Sequence, residues 1–376
     1  MPAFSGAYTA GFDSVSRRRV FWGLAVIREL PRGPFDAYLR AHYFNDKPSV
    51  LPRFSMGCGA IFMIRRVKPL DDSLASRGVI AETDPLLLQE MIGLVATQSL
   101  DVVSLAEMRR RLIDHDLARR FVCFTFDGAY RAIKDAVLPF FKERGMPFAV
   151  YADTDYLGNH RVPWWLALEG LIQERDRISL EIGGEPQNFR CRSISEKQEA
   201  YARIFRRLVR LERGTRTELL DSTLKKHAVG MSAMAEREML SPEELKALAQ
   251  SSLVTIGTLG GNAQPFGELS FDHARQSLEQ AIGALESSTG LRPRHLAFGG
   301  SERTPVAARD IRIARELGLE TGVTSIEGAL WPEHARELLA LPRIALDNDP
   351  ATLVRALMLS SGDAQPARRP APATSM

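Results

Sequence analysis

The sequence predicts an α/β fold in which parallel strands and helices alternate to form a barrel or a doubly wound sheet. Two observations support this prediction. From about Gly57, short runs rich in β-branched and aromatic residues alternate with amphipathic helical segments. Residues 120–153 also have the order and spacing of a strand–helix–strand unit, which requires parallel strands that are buried on both faces.

The elements of the first half follow from periodicity and from residues that start and stop helices. Ser104, with Glu107 three positions later, predicts a capping box, and Gly145 predicts the end of the next helix. The predicted strands are 58–64, 120–127 and 147–153, and the predicted helices are 84–98, 104–118 and 129–145.

The same alternation resumes in the C-terminal half. Ser241 is the expected N-cap of the helix that begins this half. The predicted strands are 253–259, 295–300, 321–326 and 341–346, and the predicted helices are 241–250, 270–290 and 305–318.

Residues 166–239 interrupt this rhythm, and we predict that they form an insertion carried on the barrel. Residues 177–193 have the pattern of a β-hairpin that turns at Gly183 and Gly184. Residues 195–212 are predicted to form a charged helix, whose basic side is typical of a solvated face rather than of a binding patch.

The predicted domains follow from these limits. They are an N-terminal extension over residues 1–55, a barrel domain over residues 56–349 that carries the insertion, and a final helix with a disordered tail over residues 350–376. The tail is rich in proline, alanine and serine and lacks apolar periodicity, which is typical of disorder.

The charge and the cysteines exclude some classes of protein. The chain has 49 Lys and Arg against 46 Asp and Glu, a net charge of +3, which argues against nucleic acid as a partner. Cys58, Cys123 and Cys191 lie far apart, which fits neither a disulfide framework nor a structural zinc site and indicates a reducing compartment. Cys123 lies within an apolar strand and is typical of core packing.

The N-terminal region predicts neither a signal peptide nor a transmembrane segment. No early basic region precedes a clean apolar run, and the apolar stretch from Val20 to Ile27 is about half as long as a bilayer requires. Residues 16–27 are typical of a helix packed on the domain, with contact to a membrane surface as the alternative. We therefore expect a cytoplasmic protein.

Five stretches, taken in order, resemble the polysaccharide deacetylase (NodB-homology) family. Residues 124–158, FTFDGAYRAIKDAVLPFFKERGMPFAVYADTDYLG, are similar to the family's opening unit, in which T-F-D-D-G-Y precedes a helix and a strand. PWWLALEGLI at 163–172 is similar to the segment that follows in many bacterial members. Residues 241–270 fall where the family carries its I-G-x-H-[ST]-x-x-H-P motif, and residues 292–325 fall where it carries F-A-Y-P-x-G and the following helix. LLALPRIALDND at 338–349 is similar to the family's closing L-P-R strand. The set covers Gly57 to about Asp349.

The resemblance implies a fold, an activity and a cofactor. Members fold as a distorted (β/α)7 barrel and remove acetyl groups from chitin-like oligosaccharides, peptidoglycan or other polysaccharides. The implied mechanism is hydrolysis assisted by a divalent cation such as zinc, which Asp-His-His holds while a neighbouring Asp serves as the base. The fold expected here is therefore a distorted (β/α)7-type barrel with an inserted hairpin and helices.

Most of the residues that this mechanism uses are absent from the chain. Asp127 matches the base, and Gly128 stands where the first metal ligand belongs. The two histidine positions fall on Leu259 and Ala263 or, after a shift of one residue, on Gly260 and Gln264. In the third motif, Gly299 and Ser301 replace the family's proline and glycine. Arg65 stands where many relatives have a histidine. Because neither glycine nor leucine side chains coordinate a divalent cation, we expect the inherited metal mechanism to be absent and expect no cofactor.

Alternatives stay open for the acidic residues near Asp127. Asp127 fits a catalytic carboxylate at the end of a barrel strand, and it equally fits the N-cap of the next helix. A rebuilt metal site would combine it with Asp153, Asp155 and His160, since these residue types suit a divalent ion. The alternative for this loop is a set of Asx turns without metal.

Five residues are predicted to contact a glycan: Tyr130, Trp164, Trp165, Phe298 and Arg343. Tyr130, Phe298 and Arg343 lie in stretches that resemble the family. Trp164 and Trp165 offer aromatic faces for pyranose rings. As neighbours in a predicted extended segment they point in opposite directions, so at most one faces a groove, and burial of both is the alternative.

Three functional hypotheses follow. The first is a pseudoenzyme of carbohydrate metabolism that keeps the barrel and binds an oligo- or polysaccharide or regulates a partner. The second is an active deacetylase with a site rebuilt around Asp127. The third is a scaffold whose inserted helices bind another protein. The fold does not decide among them, because function depends on the site.

Overall fold

The structure is a computed structural model that describes residues 57–69, 82–97, 100–182, 185–260, 266, 269–299 and 306–347. The predicted N-terminal extension, the final helix with its tail, and the glycine turn at 183–184 lie outside these residues. Their predictions therefore stay predictions.

The described residues form twelve strands in chain order. They are β1 (Gly59–Ile64), β2 (Arg66–Val67), β3 (Glu82–Thr83), β4 (Asp101–Val102), β5 (Phe121–Asp127), β6 (Phe148–Ala152), β7 (Arg177–Ile182), β8 (Glu185–Arg190), β9 (Val254–Gly260), β10 (His295–Phe298), β11 (Thr321–Glu327) and β12 (Leu341–Ala345). The longest barrel strands match the predicted ones within a few residues, because each is an apolar run bounded by turn or helix signals.

Ten α-helices connect or flank these strands within the same residues. They are α1 (Pro85–Thr97), α2 (Leu105–Ile113), α3 (Leu138–Glu143), α4 (Trp164–Gln173), α5 (Ile194–Leu208), α6 (Arg213–Lys226), α7 (Met231–Glu238), α8 (Pro242–Ala249), α9 (Phe271–Thr289) and α10 (Ala308–Glu316). None of the described helices combines the length and the apolar character that crossing a bilayer requires.

Seven parallel strands close into a barrel, so the predicted (β/α)7-type fold is confirmed. The order around the barrel is β1, β12, β11, β10, β9, β6 and β5, and β5 pairs with β1 to close the ring. The closing pair is long, since six residues of β1 lie opposite six residues of β5. The short strand β4 pairs with β5 from outside the ring.

The strand alternation divides β5 between the barrel interior and the surrounding helices. Cys123 packs inward with Ile61, Tyr151, Ala297 and Leu341 from four other barrel strands. The rings of Phe124 and Phe126 point outward, and both contact Phe141 of α3, at 5.4 Å and 5.9 Å between centroids. With a side-chain period of two, Thr125 and Asp127 share the inward face with Cys123. The last of these places a carboxylate at the carboxyl end of the barrel.

The predicted insertion contains the predicted hairpin and has an apolar core of its own. β7 and β8 pair antiparallel from Arg177 opposite Arg190 to Ile182 opposite Glu185. Helices α4 to α7 pack with this hairpin around residues such as Leu171, Ile178 and Ile204.

A buried ion-pair network joins this insertion to the barrel. The Arg66 guanidinium donates to Glu82 at 2.9 Å, to Glu169 of α4 at 2.5 Å and to Glu238 of α7 at 2.9 Å. Lys68 also donates to Glu169. Burial lowers the pKa of Arg66, but the three carboxylates more than offset this and hold that pKa above its usual value. Because an unpaired buried charge is costly, the network fixes where α4 and α7 attach.

The predicted helix over residues 129–145 is present but irregular, because a π-helical turn at Ile133–Val137 leads directly into α3. Pro139 lacks a backbone N–H and would collide with the preceding turn, which accounts for the irregularity. At α2, the Ser104 hydroxyl accepts from the Glu107 N–H at 3.2 Å, but the Glu107 carboxylate pairs with arginines of the helix, so the capping box is only half formed.

A substitution at Gly59 tests how closely β1 and β5 approach each other where they close the barrel. A Cβ at this position would lie 2.4 Å from the Phe121 carbonyl oxygen and 2.8 Å from its ring. We expect Gly59→Ala to lower the free energy of unfolding by about 1–3 kcal/mol, because the closing strand pair must separate to fit the methyl group.

The control is Gly283→Ala in the middle of α9, where a Cβ would meet nothing within 4 Å. Chemical denaturation should show that this variant gains about 0.5–1 kcal/mol from helix propensity. Equal effects of the two variants would contradict the close approach of β1 to β5.

Candidate functional site

The centre of the candidate site is an ion pair between Asp127 of β5 and Arg343 of β12. Nη1 of Arg343 donates to Oδ1 of Asp127 at 2.6 Å, and Nη2 donates to Oδ2 at 2.8 Å. The Arg343 side chain is 1% exposed and that of Asp127 is 13% exposed. The two parallel bonds fix the plane of the carboxylate as well as its position.

Nε and Nη1 of Arg343 also contact other groups of the protein. Nε donates to the Thr324 carbonyl oxygen at 2.9 Å, and Nη1 lies 3.3 Å from the Thr125 hydroxyl. The guanidinium carbon lies 5.8 Å from the centroid of the Tyr151 ring. Arg343 is therefore held from several sides of the barrel interior, and it fixes the position of the Asp127 carboxylate.

Gly128 follows Asp127 in a conformation that excludes most side chains. Its φ is +99°, and its N–H donates to the Tyr151 carbonyl oxygen at 2.8 Å. A Cβ here would lie 2.6 Å from Cε2 of the Tyr130 ring. A metal-binding side chain at this position would therefore face both backbone strain and a collision.

Tyr130 covers this turn from above the strand end. Its side chain is buried, and burial raises its pKa to about 12, although the positive charge of Arg66 acts in the opposite direction. The backbone around it is fixed too, because Leu240 donates to the Ala129 carbonyl oxygen at 2.8 Å and Tyr130 bridges to Met239. At neutral pH its hydroxyl is a neutral phenol.

The described positions of the family's histidine pair and third motif carry no polar side chain. The Leu259 side chain packs against the apolar cluster inside the barrel. Gly260 ends β9, where a Cβ would meet Leu296 at 3.0 Å. Gly299 donates its N–H to the Gly260 carbonyl oxygen at 2.5 Å, so these two turns lie side by side. Ala263, Gln264 and Ser301 lie outside the described residues.

The acidic loop after β6 forms an Asx turn. Oδ1 of Asp153 accepts the backbone N–H of Asp155 at 2.9 Å. The Asp155 carboxylate lies 3.6 Å from Arg213, and Nδ1 of His160 lies 3.3 Å from the Ser232 hydroxyl. Within the part of the chain that the structure describes, no three His, Cys, Asp or Glu side chains are grouped so that they could hold a metal ion.

The two tryptophans begin α4, so the predicted extended segment was wrong. Pro163 immediately precedes the helix, which suits a helix start. The Trp164 ring stacks on Phe205 of α5 with centroids 4.7 Å apart, and its centroid lies 5.8 Å from that of Trp165.

Phe298 is 4% exposed and packs against Phe266. The glycan contacts of Tyr130, Trp164, Trp165, Phe298 and Arg343 stay predictions.

A cavity of about 690 Å³ lies beside Trp164, and sequence reasoning missed it. Its charged lining residues do not include Asp127; they are Asp155, Arg161, Glu212, Arg213, Arg216, Glu218 and Asp221. The Arg66 network was missed as well, although a single acid, Glu169, inside the apolar run WWLALEGLI signals a buried cation partner.

Comparison with known proteins gives one family and one fold. The family model described as polysaccharide deacetylase matches residues 114–322. The structure of Streptococcus pyogenes deacetylase PplD in complex with acetate is 15% identical, with a TM-score of 0.50 over 79% of this chain and 96% of that one. IcaB from Ammonifex degensii is 14% identical, with a TM-score of 0.49 over 80% and 96%. No curated protein sequence matches the chain.

The described residues do not fit the divalent metal that this fold family implies. Gly128 has no side chain and no room for one, and Leu259 supplies only methyl groups to the barrel interior. A divalent cation needs at least three protein ligands at short distances, and Asp127 already has both oxygens engaged by Arg343. The described residues therefore supply no site for a metal-assisted step.

The Asp127–Arg343 pair should show strong energetic coupling. Asp127→Asn and Arg343→Met each leave one buried charge without its partner, and each should cost about 3 kcal/mol of unfolding free energy. The double variant should cost clearly less than the sum, by about 1–3 kcal/mol, in a chemical-denaturation double-mutant cycle.

The exposed pair Arg275–Glu316 is the control cycle, with side chains that are 43% and 41% exposed. Its coupling should stay below about 1 kcal/mol. If the two cycles gave the same coupling, the buried pair would not be the anchor described above.

Proposed function

The chain belongs to the polysaccharide deacetylase family, and we propose that it acts in carbohydrate metabolism without metal-dependent deacetylase activity. Its role in this proposal is that of a pseudoenzyme that binds an oligo- or polysaccharide and regulates its metabolism. We also propose a cytoplasmic location, which the free thiols of Cys58, Cys123 and Cys191 support.

One observation carries the proposal. Asp127 has kept the position of the family's base, while the next residue, Gly128, has a φ of +99° and lies against the Tyr130 ring. A side chain at this position would need both a strained φ and a displacement of the Tyr130 ring, so restoring the ligand takes more than the exchange of one residue.

The groups that remain are suited to holding a polar ligand. The Asp127 carboxylate has a fixed orientation at the carboxyl end of the barrel, where this class of fold places its ligand sites. It is 13% exposed, so its outer lone pairs can accept a hydrogen bond from a sugar hydroxyl or amide group.

Two alternatives have support from single observations. Asp127 is present and is held in place by Arg343. This favours an active deacetylase that removes acetyl groups from an N-acetylated oligo- or polysaccharide through a rebuilt site. The separate apolar core of the insertion favours a scaffold whose helices bind another protein.

Acetate release tests the proposal against the first alternative. Wild-type protein and Asp127→Asn, incubated with N-acetylated chitopentaose and excess zinc, cobalt or nickel, should release equal background amounts of acetate. At the same time, saturating oligosaccharide should raise the thermal unfolding midpoint of the wild type, because a ligand that binds only the folded state adds about 3 kcal/mol at a hundred times its Kd.

Gly128→Asp serves as the matched variant, since it restores the family's acid in sequence only. We expect it to lower stability and to release no acetate, because of the strained φ and the Tyr130 ring. Metal-dependent release by the wild type that Asp127→Asn abolishes would contradict the proposal and establish the active alternative.

A further inference from the structure

The cavity beside Trp164 lies between a barrel loop and the insertion. It has a volume of about 690 Å³, within the usual range of small-molecule sites. The loop 155–162, which follows β6 at the carboxyl end of the barrel, forms one wall, and α6 with the start of α7 forms the other. Asp127 does not line this cavity, so it is a separate place at which a ligand can bind.

The charged side chains of the lining are largely paired with one another. Arg161 donates through Nη2 to both oxygens of Asp221, at 3.0 Å and 3.1 Å. Arg213 lies 3.6 Å from the Asp155 carboxylate. Two ion pairs of the cavity are therefore formed within the protein itself, and a charged ligand would have to compete with them.

Glu212 caps α6 and also acts on the third arginine of the cavity. Its carboxylate accepts the backbone N–H groups of Gly214 at 3.0 Å and Thr215 at 3.2 Å. Burial lowers the pKa of Arg216, and the negative charge of Glu212 acts in the opposite direction. The one carboxylate that remains is Glu218, an exposed residue whose charge water and salt screen. The lining therefore has no surplus of positive charge and only one screened negative charge in excess.

The cavity nevertheless contains hydrogen-bonding groups that the protein leaves unused. Nε of Arg216 is buried and donates to no group of the described residues. The next two side chains of α6 also line the cavity, and within the described part of the chain neither the Thr217 hydroxyl nor the Glu218 carboxylate has a partner. On the opposite wall, the Asn159 amide spends one N–H on the Asp155 carbonyl oxygen at 3.2 Å. Donors and acceptors are thus both open to a ligand.

The aromatic rings of the lining do not offer a stacking platform. Phe205 stacks on the Trp164 ring with centroids 4.7 Å apart, and the guanidinium carbon of Arg216 lies 4.7 Å from the same centroid. A nucleobase would compete with both contacts. Burial raises the pKa of Tyr156, so this side chain adds a neutral phenol to the lining. Recognition here therefore depends on hydrogen bonds rather than on stacking or net charge.

We propose that this cavity is a second glycan site and that it binds a neutral oligosaccharide. The inference rests on the proposed glycan-binding function, to which it adds a site and a ligand class. Each sugar hydroxyl both donates and accepts, so a glycan can accept from Arg216 and donate to Glu218. Such bonds to charged groups are stronger than bonds between neutral groups. A carboxylate on the sugar would face four carboxylates of the lining, and an ammonium would face three arginines.

Calorimetric titration of the full chain with N-acetylated chitopentaose tests this inference. We expect two molecules to bind per wild-type chain, one at Asp127 and one in the cavity. Arg216→Gln should weaken the cavity event by about tenfold or more, because charged donors to the sugar are lost. Thr217→Val keeps the branched shape and removes only the hydroxyl, and it should weaken the same event by about fivefold. This second variant keeps the test decisive if Arg216→Gln does not fold.

Arg312→Gln is the matched protein control, because Arg312 also lies over an aromatic ring, 4.6 Å from the centroid of Phe271, and is not part of the cavity. It should bind chitopentaose like the wild type. Trigalacturonate and the fully deacetylated glucosamine pentamer are the anionic and cationic control ligands. Neither should show a binding event that Arg216→Gln or Thr217→Val weakens.

Two results would overturn the inference. They are chitopentaose binding that the folded cavity variants leave unchanged, and a charged oligosaccharide that binds the cavity as tightly as chitopentaose does. Binding that Asp127→Asn abolishes but Arg216→Gln and Thr217→Val do not alter would refute this inference and leave the proposed function standing. Binding that the cavity variants weaken and Asp127→Asn leaves unchanged would support the inference and refute a glycan site at Asp127.

Discussion

The structure depends on one buried ion pair that crosses the barrel interior. Asp127 and Arg343 lie on β5 and β12, and both strands pair with β1, which lies between them. A buried guanidinium without its carboxylate is far more costly than an exposed one, so neither residue can change alone without loss of stability. The pair therefore explains why a carboxylate remains at the end of β5 even where the rest of a metal site is missing. A structural role alone is enough to retain it.

Around this pair, Gly128 and Leu259 stand at the family's ligand positions and supply no donor atoms. The turn after Asp127 has closed over Gly128, with the Tyr130 ring in the space that a ligand side chain would need. The opposite wall is apolar at Leu259. A separate cavity with charged lining residues lies beside the insertion, which the Arg66 network fixes in place. The fold alone therefore does not decide the function, which depends on the groups present at the site.

The sequence predicted the framework better than the contacts across it. Residues 120–127 and 341–346 were recognisable as strands because each is a short apolar run, and the hairpin at 177–193 because alternation flanks a glycine pair. The bond between Asp127 and Arg343 joins positions 216 residues apart, and no local pattern encodes such a pairing. The start of α4 at Trp164 was missed because two aromatic residues after a proline favour strand and helix about equally. The Arg66 network shares this long-range origin, since Glu169 and Glu238 meet it only after the insertion folds.

Zinc binding by the full chain tests the central claim most directly. The wild-type protein would be dialysed against excess zinc and then against metal-free buffer, and its metal content measured by elemental analysis beside Asp127→Asn. The account predicts only traces of zinc, equal in both proteins, because Gly128 and Leu259 supply no ligand. About one zinc per chain in the wild type, lost in Asp127→Asn, would contradict it and show that a metal site has been rebuilt around this carboxylate.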